Sequence, residues 1–417
     1  MTQLPWNKIF GGAMLVAGTC IGAGMLGLPV STAASGFFPS SIAFLFCWIM
    51  MTISAFLMLE VSLWQPAETN LITMAKTTLG RPGEVVAWIT YILFLYAIMT
   101  AYTTGSVGMI NSVLGKFGVN ESWGIWIVVL IFGTVVYCGA RSVDWVNRLL
   151  MLGLVVSYIA LIANVIPKVS LEMLGDGQPK YLWTIGPLLV TSFGFHLLIP
   201  SLKNYLNGDV KSLRIAIFLG SLLPLIVYLF WEVLILGVIP VHGQQGLVAI
   251  LYAEHTEGTQ AIVELPRLLS HLLNNPHVTY LAKCFGLCAL LTSFIGVALG
   301  LFDFLADGFH IKKSRSGKLI LSTITFIPPI ILAIFYPRFM LALRYAGIFA
   351  AILLVIFPAM MVWSGRYRLK TASGFYVYGG KIVLLLVFLF GIGVIGLEVL
   401  HHLNFLPTPL AEKHLFE

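Results

Sequence analysis

The sequence predicts an all-α integral membrane protein with eleven transmembrane helices. Of its 417 residues, 59% are hydrophobic and only 10% are charged, whereas a soluble domain carries about 25% charged residues. Apolar runs of about 20 residues, the length that a helix needs to cross a bilayer, recur along the chain. The strict apolar–polar alternation of a membrane β-barrel does not occur. We therefore expect helical spans.

The spans follow one another with short connections. The expected limits, in chain order, are 9–30, 39–63, 84–113, 123–140, 145–166, 184–203, 214–239, 279–305, 319–336, 340–363 and 380–400. The first span has no small-residue cleavage site behind it, so we interpret it as a retained helix. All eleven are expected to form a single transmembrane domain over residues 1–403, with a short tail at 404–417. The segment at 241–278 is the longest connection and is typical of a lid or gate.

The basic residues are arranged as topology signals. The net charge is +7, but the lysines and arginines sit in short segments between apolar runs rather than in one patch, which argues against a nucleic-acid partner. The two densest clusters, at 312–318 and 366–381, fall on the side of the N-terminus. By the positive-inside rule this predicts a cytoplasmic N-terminus and a periplasmic C-terminus.

Two spans contain residues that interrupt a helix. The first carries the run VAGTCIGAGMLGLP at 16–29, and the sixth carries TSFGFHLLIPSL at 191–202. These spans head two units of five, at about 9–166 and 184–363, with the helix at 380–400 as an accessory. The units begin on opposite sides of the membrane, so they would be related by inversion. Paired interrupted helices of this kind point to the binding site of a secondary transporter.

A simpler interpretation of the first interruption stays open. Glycines in membrane helices often permit close packing, and Gly18 and Gly22 have the spacing of a small-xxx-small contact. The second, matched interruption favours a binding site over packing.

Several motifs resemble one known family. Besides the two interrupted spans, these are NRLLMLGLVV at 147–156, FWEV at 230–233, LTSFIGVALGLFDFLADGF at 291–309 and FYPRFMLALRYAG at 335–347. The chain is similar through them to the hydroxy and aromatic amino acid permease family of the amino acid–polyamine–organocation superfamily. The likeness covers nearly the whole length.

The resemblance implies a LeuT-like architecture of five-plus-five inverted repeats and a location in the bacterial inner membrane. It also implies import of an aromatic amino acid, driven by the proton gradient and without a cofactor. The form SFGFH in the sixth span favours an aromatic substrate over serine or threonine, with tyrosine ahead of tryptophan. Tryptophan, a broader aromatic range, serine or threonine, and sodium coupling remain alternatives.

An amino-acid zwitterion needs N–H donors for its carboxylate and carbonyl acceptors for its ammonium, and unwound helices supply both. Backbone groups in the first span and polar or aromatic residues in the sixth span are therefore expected to bind the substrate, with Tyr96 and Tyr102 of the third span as candidates for a further ring contact. The predicted substrate-binding residues are Gly18, Thr19, Gly22, Ala23, Gly24, Tyr96, Thr191, Ser192, Phe193, Gly194, Phe195 and His196.

Two ionisable side chains are candidates for the coupled proton. His196 directly follows the sixth-span interruption, and histidine titrates near physiological pH. Glu232 is the carboxylate that lies deepest in a predicted span. A neutral, hydrogen-bonded histidine that caps a half-helix is the structural alternative for His196.

Paired hydroxyls in the eighth span raise the question of a second ion. By resemblance to sodium-coupled relatives, Thr292 and Ser293 would bind sodium together with carbonyls at Gly18, Ile21 and Ala289. In a proton-coupled protein the same hydroxyls would only join the eighth span to the first.

Other functions fit the sequence less well. A membrane-embedded enzyme would need convergent acid–base or metal-binding residues within spans, such as HExxH, and none occurs. No metal site and no obligate protein partner are expected. A channel or a receptor remains the rival class, although paired interrupted helices favour alternating access over a continuous pore.

Overall fold

The computed structural model describes residues 5–66, 69–115, 118, 120, 122–257 and 261–409, and over these residues the chain is helical. Its α-helices, in chain order, are α1 Trp6–Cys20, α2 Ala23–Thr32, α3 Phe37–Leu63, α4 Leu71–Leu114, α5 Ser122–Cys138, α6 Ala140–Val165, α7 Gly186–Ser192, α8 Ile199–Tyr205, α9 Val210–Leu236, α10 Leu247–Glu257, α11 Ala261–Leu273, α12 Pro276–Gly308, α13 Arg315–Phe335, α14 Phe339–Ala350, α15 Phe357–Trp363 and α16 Gly380–His402. Residues 410–417 of the expected tail lie outside the described part.

The described helices agree with a multi-pass membrane protein. Nine helical segments are long and apolar enough to cross a bilayer, or ten if α1 and α2 form one bent span. A further apolar helix, α5, has 17 residues and falls at the fourth expected span. Each expected span thus coincides with a helix, while the count of eleven crossings stays a prediction.

The first span is broken between α1 and α2, whose axes are bent by 55°. The sixth span is broken between α7 and α8, with a 3₁₀ turn at His196–Leu198. Both breaks fall where the sequence predicts an interruption. They divide each span into two half-helices.

The broken spans lie inside a bundle. α1 packs along α9, α7 packs against α14, and α4 packs against α14 and α12. α12 also lies along α6. The half-helices are therefore held by the surrounding helices of the bundle, and this packing fixes the positions of the two breaks relative to one another.

Two segments differ from the expected pattern. The connection at 241–278 contains α10 and α11 rather than an irregular loop, and α11 buries one apolar face that includes Leu265 and Leu269. The tenth span is not a regular α-helix, because π-helical turns at Ala351–Ile356 and Ser364–Arg368 flank α15. Such turns often mark functional positions in helices.

Candidate functional site

The break in the first span is short. α1 ends at Cys20, where the Ile21 N–H still donates to the Ala17 carbonyl at 2.8 Å. Gly22 is fully extended, with φ −158° and ψ −151°, and α2 then begins. Carbonyls at the end of α1 and N–H groups at the start of α2 therefore lose their helical partners. These are the acceptors and donors that a zwitterion requires.

The break in the sixth span runs from Phe193 to Phe195. The Phe193 N–H donates to Leu189 O and the Gly194 N–H to Thr191 O, so α7 ends in tight turns. The side chains of Phe193 and Phe195 are fully buried. A Cβ on Gly194 would lie 3.0 Å from Thr191 O, which leaves little room for a side chain at this turn.

Tyr228 of α9 joins the two breaks. Its hydroxyl lies 2.6 Å from the Cys20 carbonyl and 3.0 Å from the Ser192 carbonyl. Both carbonyls belong to the last residue of a half-helix, where no helical N–H follows to satisfy them. The side chain is fully buried, and its ring makes an edge contact with Phe193, with centroids 5.4 Å apart. One hydroxyl thus holds the ends of α1 and α7 together.

Small residues allow the breaks to approach their neighbours closely. A Cβ on Gly22 would clash with the Ser293 hydroxyl of α12, and one on Gly24 would lie 3.1 Å from the Ser192 hydroxyl. Ser293 also hydrogen-bonds to the hydroxyl of Tyr102 on α4. The first break is therefore surrounded by hydroxyl groups from three spans.

Two cavities lie on opposite sides of the breaks. The first, which we call the His196 cavity, has a volume of about 200 Å³ and is lined by residues after the sixth-span break, including His196 and Asn204. The second, the Arg344 cavity, has a volume of about 370 Å³ and is lined by Thr184 and Leu188, which precede that break, together with Arg344. The two breaks thus separate one cavity from the other.

A buried carboxyl group lies beside α2, the second half of the first span. Glu232 of α9 is 1% exposed, and its Oε2 lies 2.7 Å from the Thr32 hydroxyl at the end of α2. The same hydroxyl lies 2.9 Å from the Leu28 carbonyl. No partner for Oε1 occurs among the described residues. The carboxyl group therefore contacts a half-helix, and no cation pairs with it within the described ranges.

His196 is completely buried beside the ring of Phe195, with centroids 5.1 Å apart. The backbone of Met51 approaches the ring, but neither ring nitrogen meets hydrogen-bond geometry with a residue that the structure describes. A buried polar group without a strong partner is costly. His196 thus has a free hydrogen-bonding atom beside the sixth-span break.

The structure separates some predicted residues from this cluster. Gly18 and Thr19 remain helical and exposed, and the Thr19 hydroxyl donates back to Leu15 O at 2.8 Å. The unwound part is thus shorter than the glycine run, because a helix tolerates a single glycine where no other group competes for its backbone. The hydroxyl of Tyr96 donates to Ile324 O on α13 at 2.8 Å, away from both breaks.

The other predicted residues flank the breaks. Ala23 begins α2, although its side chain lies outside the described part. The hydroxyls of Thr191 and Ser192 donate to carbonyls one turn earlier, at 3.0 and 2.9 Å. Of the predicted sodium ligands, the Thr292 hydroxyl donates to Ala289 O at 3.0 Å, while Ser293 faces Gly22. Among the described residues no cluster of His, Cys, Asp or Glu could hold a metal ion.

Tyr228 was not among the residues predicted from the sequence. A tyrosine within an apolar span is usually a packing residue, and its partners Cys20 and Ser192 are 208 and 36 positions away along the chain. The available signal was its position one turn before Glu232 in the same span, because polar groups at membrane depth are often functional.

Comparison with known proteins places these features in context. A family model described as the tryptophan/tyrosine permease family matches residues 6–398. "Tyrosine-specific transport system 1" of Haemophilus influenzae is 32% identical over 408 residues, which cover 96% of this chain and 99% of the relative. "Tryptophan-specific transport protein" of the same organism is 31% identical over 408 residues, which cover 94% of this chain and 96% of the relative. "Low affinity tryptophan permease" of Escherichia coli is 30% identical over 408 residues, which cover 93% of this chain and 94% of the relative.

Solved structures show the same fold at low identity. Two crystal structures of mutant forms of a manganese transporter from Eremococcus coleocola superpose with TM-scores of 0.63 and 0.61. Each is 14% identical and covers 96% of this chain, and the match extends over 89% and 88% of those chains. At this identity the likeness concerns the fold alone.

Proposed function

The chain belongs to the tryptophan/tyrosine permease family, and on that premise we propose that it imports an aromatic amino acid, preferably tyrosine, by proton symport. Membership confirms the resemblance seen in the sequence. Relatives in this family are named as transport proteins or permeases, and this chain is likewise a multi-pass membrane transporter rather than an enzyme. Substrate, coupling and mechanism are proposals, as is a location in the bacterial inner membrane.

The observation that carries the proposal is the joined pair of breaks between two cavities. Backbone groups freed at Gly22 offer donors and acceptors for the zwitterion. Buried rings of Phe193 and Phe195 offer apolar walls for an aromatic side chain. A site of this kind recognises the amino-acid group by backbone and the side chain by ring packing. Names of relatives support both tyrosine and tryptophan, and the SFGFH sequence favours an aromatic substrate over serine or threonine.

Alternating access follows from the same arrangement. In the predicted orientation the Arg344 cavity opens to the periplasm and the His196 cavity opens to the cytoplasm. We propose that α1 and α8 move relative to the rest of the bundle so that one cavity at a time reaches the breaks. The LeuT-like layout of two inverted five-helix units, with α16 as an accessory, would supply the symmetry for this movement.

Proton coupling is assigned to Glu232. The Thr32 hydroxyl has one proton but two acceptors in reach, Leu28 O and Glu232 Oε2. While the hydroxyl donates to Leu28 O, the contact with Oε2 needs a proton on the carboxyl group. Loss of that proton would turn the hydroxyl towards Glu232 and leave the Leu28 carbonyl with its helical N–H partner alone. The protonation state of Glu232 would thus change the hydrogen bonding of the outer half-helix α2.

The test is uptake of radiolabelled L-tyrosine into vesicles that contain the purified protein. We expect saturable uptake that a protonophore abolishes and that is indifferent to sodium. Competition by unlabelled tyrosine, tryptophan, phenylalanine and serine ranks the substrates. Stronger competition by tryptophan than by tyrosine would show that tryptophan is the preferred substrate. Sodium-dependent uptake that survives the protonophore would contradict proton coupling. Non-saturable flux would point to a channel.

Glu232→Gln separates coupling from binding. The amide can still contact Thr32 but cannot carry a proton, so exchange of internal for external tyrosine should persist while accumulation driven by a pH gradient is lost. His196→Gln is the matched variant for the alternative carrier. Normal accumulation by Glu232→Gln, or loss of accumulation with intact exchange in His196→Gln alone, would remove Glu232 from the proposal.

A further inference from the structure

A large apolar groove opens on the lipid-facing surface, and none of its lining residues belongs to either break. It has a volume of about 770 Å³, whereas a water molecule occupies about 30 Å³. Its walls come from α4, the tenth span and α16, and several of them are exposed, including Val86, Met360 and Leu385. The lining residues are Leu79, Pro82, Gly83, Val86, Ile352, Ile356, Phe357, Ala359, Met360, Trp363, Ser364, Arg368, Leu384, Leu385 and Phe388.

Backbone irregularities border the groove on two sides. On one side, α4 is kinked at Gly80, which has φ +76° and precedes Pro82. On the other side, Ile352 and Ile356 lie in the first π-helical turn of the tenth span, while Ser364 and Arg368 lie in the second. Kinked and widened helices cannot pack side by side along their whole length, which leaves a gap between them.

One end of the groove is positively charged. Residues 364–397 contain Arg366, Arg368, Lys370 and Lys381 but no acidic residue. Glu60 neutralises Arg366 through a buried ion pair. Arg368 forms no ion pair within the part of the chain that the structure describes. It is exposed at the mouth of the groove.

Aromatic side chains place this end at the level of lipid headgroups. The Lys381 ammonium lies 5.6 Å from the ring centroid of Trp363 and 5.2 Å from that of Tyr367. The Trp363 and Tyr367 side chains are 45% and 40% exposed. Exposed tryptophan and tyrosine are typical of the membrane–water interface. An apolar groove that continues from such a site into the membrane has the shape and polarity of a phospholipid.

We propose that this groove binds an anionic phospholipid, with its phosphate at Arg368 and Lys381 and an acyl chain along α4 and α16. Unpaired cations at the interface attract anionic headgroups, and the apolar walls accept the chain. A zwitterionic lipid fits the walls equally well but gains less from the cations. The site is independent of the transported substrate and of the two breaks.

The test measures lipid retained by purified protein. Protein in detergent is incubated with equal amounts of phosphatidylglycerol and phosphatidylcholine, and bound lipid is counted by native mass spectrometry. Wild type should retain phosphatidylglycerol preferentially. Arg368→Gln should lower that retention about fivefold, the factor expected for one basic residue at a membrane surface. Leu385→Trp should lower retention of both lipids because it fills the groove.

Two control variants and three contrary outcomes complete the design. Arg315→Gln removes a charge from the other basic cluster, and Leu389→Trp adds the same ring one turn further along α16; both should retain lipid like wild type. Equal retention by Arg368→Gln and Arg315→Gln, or displacement of the lipid by inorganic phosphate alone, would overturn the proposal. A dimer that dissociates on Leu385→Trp would overturn it too, because the groove would then hold a second copy of the chain.

Discussion

Removal of one hydroxyl should disconnect the two broken spans. In Tyr228→Phe the ring and its edge contact with Phe193 are retained, but the Cys20 and Ser192 carbonyls lose their shared donor. A buried polar group left without a partner costs about 1–3 kcal/mol. If the substrate-binding arrangement needs both half-helix ends in place, that cost appears in binding, where it corresponds to about a 5- to 150-fold weaker affinity.

The assay measures KM and maximal rate for tyrosine uptake into vesicles, together with thermal unfolding of the purified protein. Tyr228→Phe should raise KM and lower the unfolding temperature. Tyr336→Phe is the matched control, because its ring is exposed and the same oxygen atom is lost outside the site. Unchanged KM and stability in Tyr228→Phe would refute the idea that Tyr228 holds the breaks together.

Three further outcomes follow from named contacts. Gly22→Leu should abolish uptake in a folded protein, because any side chain at this position meets the Ser293 hydroxyl. Gly18→Ala should transport normally, because open space surrounds Gly18. Equal uptake by both variants would contradict the role of Gly22. Glu60→Ala should cost about 3–5 kcal/mol in thermal or chemical unfolding, because it leaves Arg366 unpaired in a buried site, and a loss below 1 kcal/mol would show that the ion pair is dispensable. The Asp209 pKa is lowered because the side chain and backbone N–H of Ser212 donate to it. The stabilisation of α9 by Asp209 should therefore be full at neutral pH and fall as the pH drops below about 4. Asp209→Ala should lower the free energy of unfolding by about 1 kcal/mol at pH 7 and make the loss of stability in acid smaller. An unchanged acid profile in that variant would contradict the capping role.

The helices follow from the sequence because each depends on local composition. An apolar run of bilayer length forms a helix whatever its neighbours are, so the hydropathy pattern sufficed to place α3, α9 and α16. The two breaks were also predictable, since glycine and proline weaken a helix locally. The helices in the connection at 241–278 were less predictable. Its helices α10 and α11 pack one face on the bundle, and a short amphipathic segment with an internal proline gives no strong signal.

The site was only partly predictable because its contacts join distant positions. Glycines mark where a helix can unwind but not where it does, and Gly18 remains helical while Gly22 does not. Which tyrosine faces the breaks depends on how the helices pack around their axes. Of the two candidates in the third span, Tyr102 lies at the first break and Tyr96 does not, and Tyr228 was not predicted. Glu232 could be predicted from its depth, whereas its contact with Thr32, 200 positions away, could not.

A structure with bound 3-iodotyrosine tests the central claim most directly, because the iodine position can be located by its anomalous scattering. The account predicts one ligand whose amino-acid group lies against residues 21–24 and whose ring lies beside Phe193. Binding should weaken in Gly22→Leu and persist in Gly18→Ala. Iodine found only in the Arg344 cavity or at another surface, with nothing between the two breaks, would contradict the claim that the breaks form the substrate site.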